Sequence, residues 1–310
     1  MHPTITIVLA SCNGARHIGT QLDSIAAQTV TNWRLLVSDD GSRDATRQIV
    51  QDFARGRAAG QVELIDGPCR GATANFLHAT RHADPSGWLA FADQDDQWFP
   101  ERLQRGVEFL VQHHGPAVHA ARTMLGDQDL RPLGPAPHLR GPFGFRNALI
   151  QACLPGNTIL ANAEALQLLQ AGAKAADAAD VVAHDWWAYQ LLAGAGAHIR
   201  RDPAPALIYR QHGRNLMGRN DTFRARALRA MMLHDGHFAD WLGRNQRALE
   251  PMAGLLLPEN RELLQRFGQA LRASGPRACR EFMRMRLYRQ TSAGTLAVLA
   301  AALAGRLRQR

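Results

Sequence analysis

Three aspartates within four residues are the part of the chain best suited to chemistry. Asp93, Asp95 and Asp96 directly follow the apolar run 88–91, which predicts a short buried strand. Carboxylates crowded at the end of such a strand repel one another and are costly to desolvate. A divalent cation would remove that cost, since Mg²⁺ is commonly held by one or two carboxylates and substrate phosphates. The alternative is a solvated acidic turn in which Asp93 or Asp96 caps a helix, and the motif alone leaves both open.

Two earlier strands are also predicted to end in polar residues. The apolar run 5–10 ends at Ser11–Asn13, and the run 33–38 ends at Asp39 and Asp40. Helical spacing separates these runs, which predicts a doubly wound, mostly parallel α/β sheet over about the first hundred residues. Ligands of such sheets bind beyond the carboxyl ends of the strands. We therefore expect all three polar clusters to meet at one edge.

Two common nucleotide-binding loops are absent from the sequence. No GxGxxG follows the first predicted strand, and residues 14–20 have the spacing of a P-loop without its lysine. The β- and γ-phosphates would then lack their cation, which excludes a P-loop NTPase. A nucleotide held by carboxylates and a metal remains.

The second half of the chain gives weaker patterns. Residues 115–145 are rich in Pro and Gly and predict irregular structure. The alanine-rich segment 171–183 predicts a mobile loop, a candidate lid over the helix that begins near His184. Beyond residue 220 the pattern is mostly helical.

The net charge of +9 in 310 residues is carried by arginines concentrated after residue 200. Such a surface attracts phosphorylated substrates, anionic lipid or nucleic acid. No nucleic-acid-binding motif accompanies it, so we expect no nucleic-acid partner. The apolar stretch 296–304 is too short to span a bilayer, and it could equally lie on a membrane surface or pack as a terminal helix.

Targeting and redox signals favour the cytoplasm. The four cysteines form no CxxC pair, which predicts reduced thiols rather than a zinc site or a disulfide scaffold. The N-terminus lacks the basic and apolar regions of a signal peptide. We expect a cytoplasmic protein, and its basic C-terminus could either contact the inner membrane face or pack as simple helices with a solvated tail.

Several motifs in order resemble the family 2 glycosyltransferases, which have a GT-A fold and use nucleotide-diphosphate sugars. The matching segments are 8–13, 36–42 with Asp44 and Thr46, 93–100, 156–158, 184–187, and 209–212 with Asn215 and Gly218. They span about residues 4–220. The pairing of Asp-Gln-Asp-Asp-x-Trp with His-Asp-Trp-Trp and Tyr-Arg-Gln-His is most similar to a rhamnosyltransferase-like branch that builds bacterial surface polysaccharides such as O-antigen.

The resemblance implies roles for the residues that would hold the donor. Asp40, with Asp39 beside it, accepts a hydrogen bond from a pyrimidine base, which suits a UDP- or dTDP-sugar; the alternative is a turn and helix cap. Asp96 binds Mg²⁺ or Mn²⁺, Asp95 binds the metal or the ribose, and Asp93 supports them. His212 completes the metal site, although it could equally bind phosphate or be a surface residue. The remaining donor-binding candidates are Ala10, Cys12, Asn13 and Arg210.

The resemblance also implies an acceptor side. Asp185 matches the catalytic base of an inverting transfer, and it could cap its helix as well. His184, Trp186 and Trp187 surround it, and the indoles could exclude water and stack on a sugar. Gly156, Asn157 and Thr158 would line the sugar or acceptor pocket.

The expected protein is a metal-dependent inverting hexosyltransferase with a domain over residues 1–220 and a helical basic extension over 221–310. Residues 1–100 would bind the nucleotide and 101–220 the acceptor. The donor sugar would be one such as rhamnose, and the acceptor a bacterial surface glycan that can be linked to polyprenyl diphosphate. The alternative is a non-catalytic module of the same fold that binds nucleotide or glycan.

Overall fold

A computed structural model describes residues 2–211 and 236–309. Its first part alternates strands and helices: β1 Ile5–Ser11, α1 Ile18–Ala26, β2 Trp33–Asp39, α2 Thr46–Arg55, β3 Val62–Asp66, α3 Ala72–His82 and β4 Trp88–Asp93. These four strands pair in parallel in the order β3-β2-β1-β4. β1 is buried along its whole length, as expected for a strand covered on both faces. The predicted parallel α/β half is therefore present.

Beyond β4 the sheet continues with strands of both directions. The elements are β5 Gln97–Trp98, α4 Arg102–Leu110, β6 Ala117–Gly126, β7 Pro132–Pro135, α5 Phe145–Ala148, a 3₁₀ turn Gly156–Thr158, β8 Leu160–Ala161, α6 Ala163–Ala178, α7 His184–Gly194 and β9 His198–Arg210. The sheet order is β3-β2-β1-β4-β8-β6-β9-β5, with β7 on β6. β8 is antiparallel to both of its neighbours, whereas β6 and β9 are parallel. The sheet is thus parallel on the first side and mixed on the second.

Two expectations for the second half are wrong. Residues 115–145 contain β6, a largely buried ten-residue strand, rather than only irregular chain. The alanine-rich segment predicted as a mobile lid is mostly helix, since α6 runs to Ala178 and buries Ala173 and Ala176. Alanine gives little apolar periodicity but has the highest helix propensity, so the segment extends a helix that began with stronger signals.

The C-terminal part is helical, as the sequence predicts. Its helices are α8 His237–Leu249, α9 Pro258–Arg272, α10 Gly275–Arg284 and α11 Ser292–Leu303, with a 3₁₀ segment Glu250–Leu255. Phe238, Phe267 and Phe282 lie in the same hydrophobic cluster as Trp187 and Leu169 of the α/β half. The boundary expected at residue 220 lies outside the described residues, and the helices beyond it share the α/β core. Within the two described ranges, no helix is both long and apolar enough to cross a bilayer.

Candidate active site

The ends of β1, β2 and β4 lie side by side, as the sequence predicts. Ser11 is level with Asp39 across β1 and β2, and Ala10 is level with Asp93 across β1 and β4. The three polar clusters therefore face one edge of the sheet.

Asp39 holds the loop that follows β2. It is almost fully buried and accepts hydrogen bonds from Ser11 Oγ at 2.8 Å, Ser42 Oγ at 2.6 Å and Ser42 N at 2.9 Å. Burial alone would raise the pKa of Asp39, but the bonds from Ser42, Ser11 and Arg47 outweigh it, and its pKa lies below the ordinary value. Its acceptor capacity is used within the protein, so Asp39 supports the loop rather than offering an open acceptor.

Asp40 differs from its neighbour. One carboxylate oxygen, Oδ2, accepts a hydrogen bond from Gly71 N at 2.7 Å. The other, Oδ1, is buried and has no hydrogen-bond partner. A buried acceptor without a donor is costly, which makes it a suitable partner for a ligand N–H.

The loop after β1 is fixed by two neighbouring loops. Gln94 accepts from Cys12 N at 2.9 Å and donates to Cys12 O at 3.1 Å. Asn13 adopts a left-handed φ of 48°, which Asn tolerates better than most residues, and its Oδ1 accepts from Arg43 N at 2.9 Å. The backbone of this loop is therefore held in place by hydrogen bonds within the protein. Gln94 was not among the predicted site residues, although it lies inside the acidic motif.

The crowding of the acidic cluster disfavours ionisation of its carboxyl groups. Burial, followed by repulsion from Asp95 and Asp185, raises the pKa of Asp93 to about 8. Burial and the charges of Asp93 and Asp95 also raise the pKa of Asp96 well above its ordinary value. Because Asp185 contributes to the effect on Asp93, the base candidate and the acidic cluster are close enough to repel.

Asp96 is the most enclosed of the three acids. It has no exposed surface, and its Oδ2 accepts from Asn157 Nδ2 at 2.6 Å while its Oδ1 accepts from Arg210 N at 3.3 Å. Asp95, by contrast, is partly exposed. Asp95 is therefore the more accessible oxygen donor of the two, while the role of Asp96 as the principal metal ligand stays a prediction.

A buried arginine lies beneath this cluster. One Arg102 amino group, Nη2, donates to Phe91 O and Asn157 O, both at 2.9 Å, and the guanidinium stacks over the Trp98 ring at 3.5 Å. Burial lowers the pKa of Arg102 to about 9, a shift that the charge of Asp96 opposes. This cation ties the acidic strand end to the 3₁₀ turn. The sequence carries no signal for its role.

The 3₁₀ turn Gly156–Thr158 supports both acidic groups. Asn157 donates to Asp96, and Gly156 N donates to Asp185 Oδ2 at 3.0 Å. The Thr158 hydroxyl donates to Pro155 O at 2.8 Å and accepts from Ala121 N at 3.0 Å. Gly156 and Asn157 therefore position carboxylates, and Thr158 secures the turn to β6. Asn157 and Thr158 do not form an open pocket lining, because both are buried and hydrogen-bonded internally.

Asp185 lies in the first turn of α7 and is partly exposed. Its Oδ1 accepts from Trp186 N at 2.7 Å within that turn, but the N-cap position is Ala183, so the alternative that Asp185 is the N-cap is wrong. Burial raises the pKa of Asp185 to about 6, while bonds from Trp186 and Gly156 oppose the rise. A carboxylate with that pKa is ionised near neutral pH and more basic than an ordinary aspartate.

The aromatic neighbours of Asp185 belong to the core. The His184 ring stacks on Phe76 with centroids 3.9 Å apart, and burial lowers its pKa to about 3, so it is neutral. Trp186 and Trp187 are only 4% and 2% exposed. The expectation that their indoles stack on a sugar is not met, because neither presents a face to the surface. They fix the first turn of α7 by packing.

The metal prediction rests on oxygen donors. Within residues 2–211 and 236–309, no three His, Cys, Asp or Glu side chains are grouped to hold a metal by themselves. His212, the predicted additional ligand, lies outside the described residues. Hard oxygen donors nevertheless fit Mg²⁺ or Mn²⁺ when phosphates complete the coordination. Arg210 is near the cluster, where its Nε donates to Asp95 O at 2.7 Å.

Comparison with known proteins identifies this arrangement. The model of the family described as glycosyl transferase family 2 matches residues 6–156. Over these 151 of its 310 residues, the chain is similar to glycosyltransferase family 2. The matched region contains the three strand ends and the start of the 3₁₀ turn, whereas Asp185 and Arg210 lie beyond it.

Two curated relatives are bacterial. The putative glycosyltransferase EpsE of Bacillus subtilis is 28% identical over 160 residues, covering 51% of this chain and 52% of EpsE. The dTDP-rhamnosyl transferase RfbG of Shigella flexneri is 25% identical over 226 residues, covering 70% of this chain and 76% of RfbG. The match thus spans about half the length of the first relative and three quarters of the second.

Solved structures show that the fold is GT-A. S. aureus TarS 1–349 in complex with UDP aligns with a TM-score of 0.54 at 16% identity, covering 98% of this chain and 89% of that one. The mannosyltransferase PcManGT from Pyrobaculum calidifontis, in complex with GDP-Man and Mn²⁺, aligns with a TM-score of 0.53 at 18% identity, covering 99% and 88%. The expected GT-A class, with a mostly parallel sheet and C-terminal helices, is confirmed.

Proposed function

We propose that the protein transfers a sugar from a nucleotide-diphosphate donor to a hydroxyl group of a glycan, with inversion at the anomeric carbon. The observation that carries the proposal is the shared 3₁₀ turn, which holds Asp185 through Gly156 N and Asp96 through Asn157. A candidate base and an acidic donor site are thus fixed by one rigid element. That pairing suits a reaction in which two substrates meet.

The donor would lie along the edge formed by β1, β2 and β4. Asp40 Oδ1 would accept the N–H of a uracil or thymine base, since it is the unpartnered acceptor there. The diphosphate would lie near Asp95 and Arg210. RfbG acts with dTDP-rhamnose by its name, so a dTDP- or UDP-sugar is the proposed donor class and rhamnose the first sugar to test.

Asp95, with Asp96 behind it, would hold Mg²⁺ or Mn²⁺. When bound, the ion neutralises charge on the departing nucleotide diphosphate. The protein's own contribution is to crowd carboxylates where that charge is needed and to fix them through Asn157 and Arg102.

Asp185 would act as the general base. Its carboxylate takes the proton from the acceptor hydroxyl as that oxygen bonds to the anomeric carbon. The bond from that carbon to the donor phosphate oxygen breaks, and the electron pair leaves with the nucleotide diphosphate. A single displacement of this kind needs no covalent sugar–enzyme intermediate and inverts the configuration. The acceptor class we propose is a bacterial surface glycan linked to polyprenyl diphosphate.

The test is release of nucleotide diphosphate from a panel of UDP-, dTDP- and GDP-sugars with Mg²⁺ or Mn²⁺, with and without glycan acceptors. We expect turnover of a uridine or thymidine donor, and a loss of about 10²- to 10⁴-fold in Asp185→Asn. Asp23→Asn, on an exposed position of α1, is the matched control. Donor binding without turnover under any acceptor would favour a binding module and refute catalysis, and full activity of Asp185→Asn would refute the base.

A further inference from the structure

The last helix, α11, has an apolar surface on its outward side. Its exposed positions recur at spacings of three and four, and they are Ala293, Leu296, Ala297, Ala300 and Leu303. Leu296 is 66% and Leu303 is 55% exposed, whereas only Val298 and Ala302 are buried. A surface helix normally turns polar residues outward. Here the outward stripe carries no charge at all.

The preceding helix, α10, exposes a basic stripe. Arg277, Arg280 and Arg284 are exposed at spacings of three and four, and Met283 between them is 55% exposed. The start of α10 lies against the end of α11, since a Cβ at Gly275 would be 2.1 Å from Leu303 O. We call α10 and α11 together the terminal helix pair. It places arginines beside an apolar stripe.

The charge around the terminal helix pair is strongly positive. Residues 275–310 contain eight arginines and one acidic residue, Glu281. Glu281 is paired with Arg266 at 3.3 Å and Arg284 at 3.1 Å, so its charge is neutralised within the protein. A second copy of the chain would bring equal positive charge against this surface, which disfavours self-association. An anionic surface is its electrostatic complement.

We propose that the terminal helix pair docks on an anionic lipid bilayer. The stripe of Leu296, Leu303 and the alanines enters the interfacial layer, while the arginines contact phosphate headgroups. A twelve-residue helix is about 18 Å long, which suits a helix lying in the plane of the membrane. The inference rests on the proposed function for its purpose, because docking would bring the site to a lipid-linked acceptor.

The experiment is flotation of the full chain with vesicles of phosphatidylglycerol and phosphatidylcholine, compared with phosphatidylcholine alone. We expect binding to the anionic vesicles that weakens when salt is raised from about 0.1 M to about 0.5 M. Leu296→Glu with Leu303→Glu should lower binding at least tenfold. Arg277→Gln with Arg280→Gln should lower it about tenfold or more. Val111→Glu, at a 58% exposed apolar position directly after α4 and outside the terminal helix pair, should leave it unchanged.

Equal binding to neutral and anionic vesicles, or unchanged binding in both double variants, would overturn the proposal. A dimer in solution that dissociates in the Leu296→Glu, Leu303→Glu variant would assign the surface to a second copy instead. Donor turnover is also measured without vesicles on the same variants, so that failure of membrane docking can be distinguished from failure of the proposed function. Turnover should persist when docking is lost.

Discussion

A methyl group at Gly156 should disable the site without touching a charged residue. The Cβ of alanine at this position would lie 2.8 Å from His184 Nε2 and 3.1 Å from Asp185 Cβ. Ordinary contacts between such atoms are about 3.5 Å or longer, so the start of α7 must move by about 0.5 Å. His184 cannot yield easily, because it stacks on Phe76 at 3.9 Å and meets the edge of Phe91 at 4.9 Å.

The displacement would therefore fall on the Gly156–Asp185 contact. We expect Gly156→Ala to lower kcat about 10²-fold, as small misplacements of catalytic groups do. Overpacking of this kind costs about 1–3 kcal/mol of folding free energy. Nucleotide-diphosphate release with donor and acceptor gives the first quantity, and denaturant unfolding gives the second.

The matched control is Gly19→Ala in α1, where the added methyl group has open space. It should keep wild-type activity and gain about 0.5–1 kcal/mol of stability, because alanine replaces glycine inside a helix. The reasoning fails if Gly156→Ala retains wild-type kcat, or if both glycine variants change kcat equally.

Three further predictions follow from individual side chains. Asp185 must be ionised to accept a proton, and its pKa is raised to about 6. The value of kcat/KM should therefore fall as pH drops through 6, with about a tenth of the limiting value left at pH 5. A flat profile between pH 5 and 8 would contradict the base assignment. Asp40→Asn should raise the dissociation constant of UDP or dTDP at least tenfold, as measured by calorimetry. The reason is that one buried Asp40 oxygen lacks a hydrogen-bond partner until the base binds. Unchanged affinity would show that Asp40 does not contact the base. Arg201 is 8% exposed with two buried nitrogens unpartnered, so Arg201→Met should raise Tm by about 2 °C; a lower Tm would show that its charge is compensated.

The sequence was most informative where apolar runs end in polar clusters. The run 5–10 and the run 33–38 have strong β propensity and clear turn residues after them, so their strands and their common edge could be predicted. β6 was missed because its alanines and flanking prolines and glycines give little β signal, and its strand state comes from pairing with β8 and β9. Pairing between distant segments is not encoded in any local window.

The roles of individual site residues were harder to predict than their presence. Asn157 and Thr158 are where the resemblance places them, but their bonds point inward, to Asp96 and to the backbone of β6. A tryptophan looks the same in the sequence whether it faces a sugar or the core. Packing against α6 and α8 is what places Trp186 and Trp187 in the core. The role of Arg102 is evident only in the folded structure, where it donates to three carbonyl groups from two segments that are distant in sequence.

The three-residue turn at Gly156–Thr158 has a consequence for how this protein can change. Both carboxylates, Asp96 and Asp185, are anchored to it, so under the proposed mechanism the turn sets the distance between the leaving-group side and the proton acceptor. A lengthened or shortened turn would move both carboxylates at once, whereas a change in a surrounding loop leaves these two anchors in place. A directed-evolution library aimed at new products should therefore keep residues 156–158 constant and place its diversity elsewhere.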